Sequence, residues 1–352
     1  MLQRISSYLT KQLPRISLEC ITTKRGRGAF PDIERPEYPR HYMLDTGNVC
    51  NLRCPFCQTG KKVGGVNRGL MTRDSFDVII DKIGVHAKFI SMVNWGEPFL
   101  NKDLLYFASR CNALGIRTHI DSNLSTKYWS EEEAERIVTS GLNSILGSID
   151  GTTQETYSRY RVGGDLGMAL HNLNILRAAR ERLHLVKPFV GWAFYINKFN
   201  EHQINDARAM AKDLGVDIWF KLLSCDDPSW HSKYHFLPGD PVLATPEWVP
   251  SIYPDWRAQS IVDTPLHPIL PGVCVLPFSF MVINWNGDVY PCDVVYGEQF
   301  KLGNLLTQNI DEVWFGQEYV KCRSFLRNYG PQQESGSVCQ NQPCPVAKKW
   351  LY

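Results

Sequence analysis

The chain has 352 residues, of which 43% are hydrophobic and 21% charged, a composition that suits a globular protein with one large core and a second module. Its formal net charge of +2 is too small for the basic field that recruits nucleic acid or an anionic membrane surface. Eleven cysteines, with neither a secretory signal nor an apolar run of membrane-spanning length, indicate a reducing compartment and metal ligation rather than disulfides. We therefore expect a cytoplasmic protein with no nucleic-acid or membrane partner.

Residues 1–40 are predicted to be an N-terminal extension. Leu2, Ile5 and Leu9 recur at helical spacing, which favours a helix that caps the main domain. An organellar presequence would share the basic, acid-poor character of this segment and stays an alternative. Prolines between positions 31 and 39 indicate an extended linker before the first strand.

Residues 41–225 alternate short apolar runs with amphipathic stretches, the pattern of strand–helix units around a parallel sheet. Thr72, Asn101 and Ser130 are candidate helix N-caps, and Glu133 completes a capping box with Ser130. Parallel barrels place their working residues at the carboxyl ends of the strands. The predicted strands cover 41–46, 88–94, 116–122, 142–149, 188–196 and 216–223, and the predicted helices 72–83, 101–114, 130–140, 167–184 and 201–214.

Three cysteines with the spacing C-x3-C-x2-C follow the first predicted strand, namely Cys50, Cys54 and Cys57. Thiolates this close together select zinc, copper or an iron–sulfur cluster. Structural zinc takes four ligands, usually as two separated pairs. A cubane cluster held by three cysteines leaves one iron free for a substrate or cofactor, so the spacing favours an iron–sulfur cluster with an open iron.

The stretch Cys50 to Cys57 strongly resembles the radical S-adenosylmethionine (SAM) enzymes, whose motif is C-x3-C-x-Φ-C with an aromatic residue at Φ. Phe56 fills that place. The resemblance implies a partial (β/α)6 barrel and a [4Fe–4S] cluster whose free iron chelates SAM. It also implies reductive cleavage of SAM to a 5′-deoxyadenosyl radical, with a reductant such as flavodoxin or ferredoxin as partner.

Residues 94–98, which follow the second strand, read Asn-Trp-Gly-Glu-Pro where the family usually has Gly-Gly-Glu-Pro. In the family this loop holds the methionine amino group of SAM. Trp95 departs from the pattern, whereas Glu97 keeps an acceptor for an ammonium group. Gly96 leaves room for a close approach between the backbone and a ligand.

Further resemblances at the ends of the third and fourth strands extend this cofactor site. Asn123 lies where the family reaches the ribose or carboxylate of SAM, and Ser148 and Asp150 belong to a Ser-Φ-Asp-Gly sequence. Arg161 can form a forked pair with a carboxylate, which suits the methionine end of SAM. The alternative is that Asp150 belongs only to a turn and Arg161 is only a charge on a helix surface.

Cys225 follows the sixth strand and is predicted to place a thiol at the barrel mouth, although a small buried residue at a strand end is an equally good interpretation.

Residues 226–273 form the next segment. It is rich in proline and aromatic residues and has little periodicity, which indicates an ordered lid or connector rather than a linker.

Residues 274–352 form a second predicted module. Asn286-Gly287 lies between two apolar runs and predicts a hairpin with a type I′ turn, and a helix is predicted at 309–327. Cysteines flank the hairpin, and two more lie near the C-terminus. The arrangement resembles the SPASM and twitch modules, which implies an auxiliary [4Fe–4S] cluster; a zinc site is the alternative. The expected ligands are Cys274, Cys292, Cys339 and Cys344, with Cys322 as a spare candidate.

The resemblance predicts a radical SAM oxidoreductase or epimerase acting on a small polar molecule, such as an amino sugar, an aminocyclitol or a sugar nucleotide. The forty residues before the barrel show no match to the peptide-recognition domain of peptide-modifying relatives, so a peptide substrate is the second expectation. A thiol at Cys225 could return hydrogen to a substrate radical and make the enzyme an epimerase. A non-enzymatic iron–sulfur electron carrier is the alternative from a different functional class.

Overall fold

The computed structural model describes residues 32–223, 225, 227–233, 276–295, 297–327 and 338–341. This part of the chain includes the predicted barrel, apart from residue 224, and the predicted C-terminal hairpin. The predicted N-terminal capping helix, most of the predicted connector, and both Cys274 and Cys344 lie outside the described residues.

One nine-stranded sheet runs through this part of the molecule, in the order β6-β5-β4-β3-β2-β1-β7-β8-β9. The strands β1 to β6 pair in parallel, as the sequence predicted, and β6 lies at an open edge, so the barrel is partial. The structure confirms an α/β fold with a mostly parallel sheet. The strands are β1 His41–Leu44, β2 Phe89–Ser91, β3 Arg117–Ser122, β4 Ser144–Ser148, β5 Phe189–Ile196, β6 Asp217–Leu222, β7 Phe280–Ile283, β8 Asp288–Tyr290 and β9 Gly303–Asn304.

Helices connect the parallel strands. Thr72 caps the first helix, and Ser130 with Glu133 forms the predicted capping box. The sequence did not predict α4, a short helix that begins after Thr153, whose side chain accepts a hydrogen bond from the Thr156 N–H. The helices are α1 Arg73–Ile83, α2 Leu104–Ala113, α3 Glu131–Val138, α4 Gln154–Tyr160, α5 Leu166–Arg182 and α6 Ile204–Leu214.

The predicted N-cap Asn101 lies two residues before the observed N-cap Asp103, although its Oδ1 accepts a hydrogen bond from the Asp103 N–H at 2.9 Å. Asn101 is buried, and its amide donates to the carbonyls of Thr46 and Met71 at 2.8 and 2.9 Å. These bonds tie the loop after β2 to the chain that follows β1. The side chain therefore serves a tertiary contact that sequence spacing does not report.

The two faces of the parallel sheet differ in what they bury. Outward side chains such as Ile145 and Trp192 belong to the main core together with helix residues such as Leu173. Inward side chains at alternate positions, among them Leu146 and Trp219, form a separate small cluster without helix residues. This alternation follows from the two-residue period of a strand and leaves the inner face to line the barrel.

The C-terminal hairpin continues the barrel sheet, because β7 pairs in parallel with β1 and β8 returns antiparallel to β7. The predicted type I′ turn is wrong. That turn needs a positive φ at both central residues, whereas Gly287 has φ +82° and Asn286 is not among the residues with a positive φ. The Gly287 N–H donates to the Asn284 carbonyl at 2.8 Å, and the Asn284 N–H donates to the Asp288 carbonyl at 2.8 Å.

The helix predicted at 309–327 is divided in two. Asn309 and Glu312 form a capping box for α8, and the chain breaks at Phe315 and Gly316 before α9 begins. No helix in the described part of the chain is long and apolar enough to cross a membrane. The helices of this module are the short α7 Leu276–Ser279, α8 Ile310–Trp314, α9 Gln317–Arg327 and the short α10 Val338–Asn341.

Candidate active site

The three motif cysteines lie on one loop above the carboxyl end of β1, with Cys54 buried and Cys50 and Cys57 half-buried. All three thiols are free and pack into one small apolar cluster with Leu52, Tyr160 and Leu223. The Phe56 ring lies in the same cluster, 5.2 Å from the Trp230 ring in an edge-to-face contact. The fold therefore brings the predicted ligands together with the end of β6.

Backbone contacts fix this cysteine loop from outside. The Glu97 N–H donates to the Val49 carbonyl at 2.8 Å, and the Arg53 N–H donates to the Val162 carbonyl at 2.9 Å. Gly60 allows the loop to fold on itself, since an added Cβ would lie 2.4 Å from the Cys54 carbonyl oxygen. The sequence pattern did not single out Gly60, although its place just after the third cysteine was visible.

Glu97 is buried, and its carboxylate joins the ends of β2 and β3. The Ser122 hydroxyl and the Asn123 backbone N–H each donate to it at 2.7 Å, and the Phe99 N–H donates at 3.2 Å. Burial raises the pKa of Glu97, against the lowering effect of these donors. The predicted ligand for an ammonium group therefore sits in a fixed orientation.

Asn123 links that carboxylate to the cysteine loop. Its amide Nδ2 lies 3.0 Å from the Asn51 Oδ1 and 3.8 Å from the Cys50 Sγ. The Ser125 N–H donates to its Oδ1 at 2.7 Å. The structure brings Asn123 to the predicted site, where it contacts a cluster-ligand candidate directly.

Asp45, which no sequence motif marks, organises the loop after β2. It follows β1, is buried, and accepts from the backbone N–H groups of Asn94 and Trp95, each at 3.2 Å. Burial raises its pKa to about 7. Gly96 completes the fit, because an added Cβ would lie 1.7 Å from the Gly47 carbonyl oxygen. Because Gly96 has no Cβ, its backbone can pack closely against the start of the cysteine loop.

Asp150 and Arg161 form a buried ion pair at the end of β4. The Arg161 Nε donates to the Asp150 Oδ2 at 2.5 Å, and the Tyr195 N–H donates to the Asp150 Oδ1 at 2.6 Å. Burial raises the pKa of Asp150, and Arg161 opposes that effect. Arg161 also lowers the pKa of the Cys54 thiol, which burial raises. The interpretation of Arg161 as a surface charge is wrong, because its side chain is only 14% exposed.

The inner face of the sheet carries polar side chains below this site. Ser148 is buried at the end of β4, and Asp121 accepts from His119 across 3.2 Å. Lys221 on β6 pairs in register with Tyr195 on β5, and its Nζ lies 5.3 Å from the Tyr195 ring centroid. The sequence did not single out His119, Tyr195 or Lys221, although each lies at an inward position of a predicted strand.

Cys225 joins the same apolar cluster as the motif cysteines. Its Sγ lies 3.7 Å from the Asp227 carbonyl, and a ring nitrogen of His231 lies 3.1 Å from the Cys225 carbonyl. The thiol is half-buried near the barrel mouth, where the sequence placed it. Cys225 therefore lies at the same end of the sheet as the cysteine loop.

Three further cysteines of the C-terminal module are described, namely Cys292, Cys322 and Cys339. Cys322 is fully buried on α9, and a hydrogen bond with Cys339 lowers the pKa of its thiol. The neighbouring Arg323 is also fully buried, and desolvation lowers its pKa to about 10. The other two predicted ligands, Cys274 and Cys344, lie outside the described residues.

The cysteine loop offers three thiols, the donor type that an iron–sulfur cluster takes. In the described part of the chain, no three His, Cys, Asp or Glu side chains are close enough to hold one metal ion. A cubane needs wider spacing, because each thiolate binds a different iron. Burial raises the pKa of Cys50 to about 12, so ligation by iron must displace its proton.

The sequence matches the radical SAM superfamily over residues 44–206, the range that contains the cysteine loop and the buried network around Glu97. The chain therefore contains a radical SAM domain. Residues 274–345 match the SPASM iron–sulfur cluster-binding domain. This radical SAM protein therefore uses a [4Fe–4S] cluster and SAM in its barrel, with auxiliary iron–sulfur binding in its C-terminal domain.

The names of the similar proteins indicate different activities. The AdoMet-dependent heme synthase of Methanosarcina barkeri is 28% identical over 310 residues, which cover 80% of this chain and 84% of the relative. A structure of BtrN in complex with AdoMet and 2-DOIA has a TM-score of 0.51 at 14% identity, over 88% of this chain and 95% of BtrN. A structure of Streptococcus suis SuiB bound to SAM has a TM-score of 0.60 at 16% identity, over 88% and 72%. These structural similarities support the fold.

Proposed function

We propose that this radical SAM protein is an oxidoreductase that dehydrogenates a small polar molecule such as an amino sugar, an aminocyclitol or a sugar nucleotide. The observation that carries the proposal is the continuity of one sheet through both thiol-bearing regions. The Asp45 N–H donates to the Ile283 carbonyl at 2.8 Å, and the Asn67 N–H donates to the Glu298 carboxylate at 2.9 Å. The C-terminal module thus contacts the chain on both sides of the cysteine loop.

The cluster and SAM, when bound, supply a 5′-deoxyadenosyl radical that can remove a hydrogen atom from a C–H bond. Cys50, Cys54 and Cys57 would bind three irons. Glu97, with Gly96 beside it, would hold the SAM ammonium, because its carboxylate is already oriented by donors on β3. Phe56, Asn123, Ser148, Asp150 and Arg161 would line the remainder of the cofactor site.

The inner face of the barrel supports a small polar substrate. Asp121, with 32% of its side chain exposed, offers a carboxylate to a hydroxyl or amino group, while Lys221 offers a cation to an anionic group. Opposite charges on separate strands suit a molecule that carries both kinds of group. The nearby Tyr195 ring gives that molecule an apolar surface to lie against.

Dehydrogenation requires that the substrate, after losing a hydrogen atom, also lose an electron and a proton. An auxiliary cluster held by Cys274, Cys292, Cys339 and Cys344 would supply the electron acceptor. The product then has two hydrogens fewer than the substrate. A cytoplasmic reductant such as flavodoxin or ferredoxin would provide the electron for SAM cleavage.

Epimerisation is the second candidate, because Cys225 lies near the barrel mouth. Its S–H could return a hydrogen atom to the substrate carbon, which leaves a thiyl radical that needs an electron and a proton. Inversion requires a donor across the substrate from the cofactor, whereas Cys225 packs into the cluster of the motif cysteines. We therefore place dehydrogenation first.

A peptide remains the second substrate class, since SuiB has also been solved bound to its precursor peptide SuiA. The test is a panel of amino sugars, aminocyclitols, sugar nucleotides and peptides, incubated in heavy water with the reduced, reconstituted enzyme. Dehydrogenation predicts a product two mass units lighter than its substrate, unaffected by Cys225→Ala. One solvent deuterium at an inverted carbon, lost in that variant, would assign epimerisation, and no 5′-deoxyadenosine would indicate an electron carrier.

A further inference from the structure

The segment that carries the motif cysteines is strongly basic. The sequence has no acidic residue between Asp45 and Asp74. The complete chain is nearly neutral, with 38 basic and 36 acidic residues, so this stretch departs from the average. We call residues 53–68, which overlap the cysteine loop, the basic loop. Its cations are Arg53, Lys61, Lys62 and Arg68.

The four cations of the basic loop are exposed, and none of them forms an ion pair with a carboxylate in the described part of the chain. Other exposed arginines of the same protein do form such pairs. Arg182 on α5 contacts Glu131 and Glu135 at 3.1 and 2.7 Å, and Arg73, just beyond the basic loop, contacts Asp103 at 2.7 Å. Surface cations that are not neutralised by neighbours leave a positive potential that acts on an approaching molecule.

Hydrogen bonds gather the cations of the basic loop onto one surface. The Lys61 N–H donates to the Cys57 carbonyl at 2.8 Å, which folds the lysine pair back toward the last motif cysteine. The Arg68 guanidinium donates to the Thr59 and Val63 carbonyls at 3.3 and 3.4 Å. The charges at the two ends of residues 61–68 are therefore close in space.

Both ends of the basic loop rest on other parts of the molecule. An added Cβ at Gly60 would lie 3.1 Å from the Arg53 carbonyl carbon, so the start of the loop packs beside the lysine pair. At the other end, the Trp285 indole N–H donates to the Asn67 carbonyl at 3.4 Å, and the Asn67 N–H donates to the Glu298 carboxylate. A loop held in this way presents its charges in a fixed arrangement, which lowers the entropic cost of binding.

The basic loop also exposes apolar surface. The side chain of Val63 is 37% exposed, and that of Leu70, two residues beyond the loop, is 36% exposed. Protein interfaces combine an apolar centre with a polar rim, and weak electron-transfer complexes have the smallest interfaces. One or two exposed aliphatic side chains among four cations suit a small, transient contact of this kind.

The basic loop lies beside the predicted cluster ligands. Cys57 is half-buried within it, and the Lys61 Nζ lies 5.7 Å from the centroid of the neighbouring Phe56 ring. Each cleavage of SAM consumes one electron, which SAM itself does not supply. A reductant must therefore deliver that electron from outside, and the basic loop is exposed surface on the chain segment that carries the ligands.

We propose that the basic loop is the docking surface for an acidic electron-transfer protein of the flavodoxin type, which delivers the electron for SAM cleavage. This inference rests on the proposed function, because it requires a SAM-cleaving cluster on the motif cysteines. Opposite charges on the two partners accelerate their encounter and orient the partner's redox centre toward the cysteine loop. The fixed loop and its exposed aliphatic side chains then supply the short-range contact.

The test measures 5′-deoxyadenosine formation by the reconstituted enzyme with two reductants of opposite charge, a reduced acidic flavodoxin and the reduced methyl viologen cation. Lys61→Glu combined with Lys62→Glu should lower the rate at subsaturating flavodoxin by about tenfold, because association loses its electrostatic attraction. With methyl viologen, the same double variant should be faster than the parent or within about twofold of it. Equal losses with both reductants would overturn the proposal, since the lysines would then position the loop instead.

The matched control is Lys88→Glu combined with Lys212→Glu. It changes the net charge equally at the amino ends of the strands, because Lys88 precedes β2 and Lys212 lies in the last turn of α6, before β6. Both side chains are exposed. The control should stay within about twofold of the parent with either reductant, since solvent screens charges this far from the basic loop. An equal loss with flavodoxin in the control would overturn the proposal.

A binding measurement gives a readout that does not depend on activity. Surface plasmon resonance should show that the parent binds oxidised flavodoxin at low salt and loses affinity as the ionic strength rises, because salt screens the opposed charges. The Lys61→Glu, Lys62→Glu variant should bind about tenfold more weakly than the control. Salt-independent binding, or equal binding by variant and control, would overturn the proposal.

The failure of the proposed function has a different signature. No 5′-deoxyadenosine from the parent with either reductant would contradict the SAM-cleaving cluster itself. Loss of activity with flavodoxin alone, in the variant but not in the control, supports the docking surface. The two failures are therefore distinguishable by the choice of reductant.

Discussion

The two thiol-bearing regions of this radical SAM protein balance buried charge in opposite ways. Around the cysteine loop, three buried carboxylates, Asp45, Glu97 and Asp150, are surrounded by backbone donors, and Arg161 pairs with one of them. On α9, Arg323 is a buried cation with no carboxylate partner among the described residues. The first region surrounds its buried anions with hydrogen-bond donors, whereas the second surrounds its buried cation with neutral carbonyls and aromatic rings.

This difference suggests different tasks. Carboxylates that are already bonded to neighbouring donors keep their orientation while a ligand binds, which is the preorganisation that catalysis needs. The contacts of Arg323 instead join α9 to Pro277 and to Ile33, and so hold separate segments of the chain together. Substitutions in the first region test this contrast. Replacing the cysteine ligands should have the largest effect on SAM cleavage.

Changing Cys50, Cys54 and Cys57 together to Ala should abolish 5′-deoxyadenosine formation, because no ligands remain for the iron that binds SAM. The matched control is Cys111→Ala, which removes a buried thiol on α2 far from the loop in sequence. Product is measured after anaerobic reconstitution and reduction. SAM cleavage at the parental rate by the triple variant would contradict the assignment of this loop as the site of the SAM-cleaving cluster.

Gly60→Ala should reduce SAM cleavage by about tenfold or more, since its Cβ would lie 2.4 Å from the Cys54 carbonyl and displace the loop. Gly64 belongs to the same loop, but a Cβ there meets nothing within 4 Å. Gly64→Ala should therefore stay within about twofold of the parent. Equal losses in both variants would show that the loop conformation at Gly60 is not what positions the cysteines.

Asp150→Asn should lower the free energy of unfolding by about 3–5 kcal/mol, because it leaves Arg161 without its carboxylate in a buried site. Asp213→Asn, an exposed change on α6, should alter it by less than about 0.5 kcal/mol. Urea unfolding of the metal-free protein measures both. A cost for Asp150→Asn no larger than that control would mean that the ion pair does not stabilise the motif region.

Asp45 should make the stability of the protein depend on pH. Its pKa rises from 3.8 to about 7 on folding because the carboxyl is buried, so the folded state binds more protons between these values. Stability should therefore fall as pH rises from about 4 to about 7, by at most about 1.4 kcal/mol per pH unit. Asp45→Asn should remove this slope from urea unfolding curves, and an unchanged slope would contradict the assignment.

The sequence predicted most of the parallel sheet because apolar runs with flanking turn residues report directly on strands. It missed α4, which is only seven residues long and has little apolar periodicity. The hairpin was located correctly, but its turn type was not. An Asn-Gly pair is compatible with a type I′ turn and with a turn that has a single left-handed residue. Because Asn286 does not have a positive φ, the second of these forms.

Site residues were predictable where a motif fixes their chemistry, as for Cys50 and Glu97. Asp45 and Arg323 were missed for one reason, since each acts through contacts that no motif encodes. Asp45 contacts the loop after β2, and Arg323 donates to Pro277, 46 positions away. No local pattern reports such a partner.

The central claim is that one chain holds two different cluster sites, of which only the cysteine loop binds SAM. Electron paramagnetic resonance of the reduced, fully reconstituted protein, recorded with and without SAM, tests this most directly. We predict two cluster signals, of which SAM changes one, and the triple Cys→Ala variant should retain only the insensitive signal. A single signal in the parent, or a signal in the triple variant that still responds to SAM, would contradict the claim.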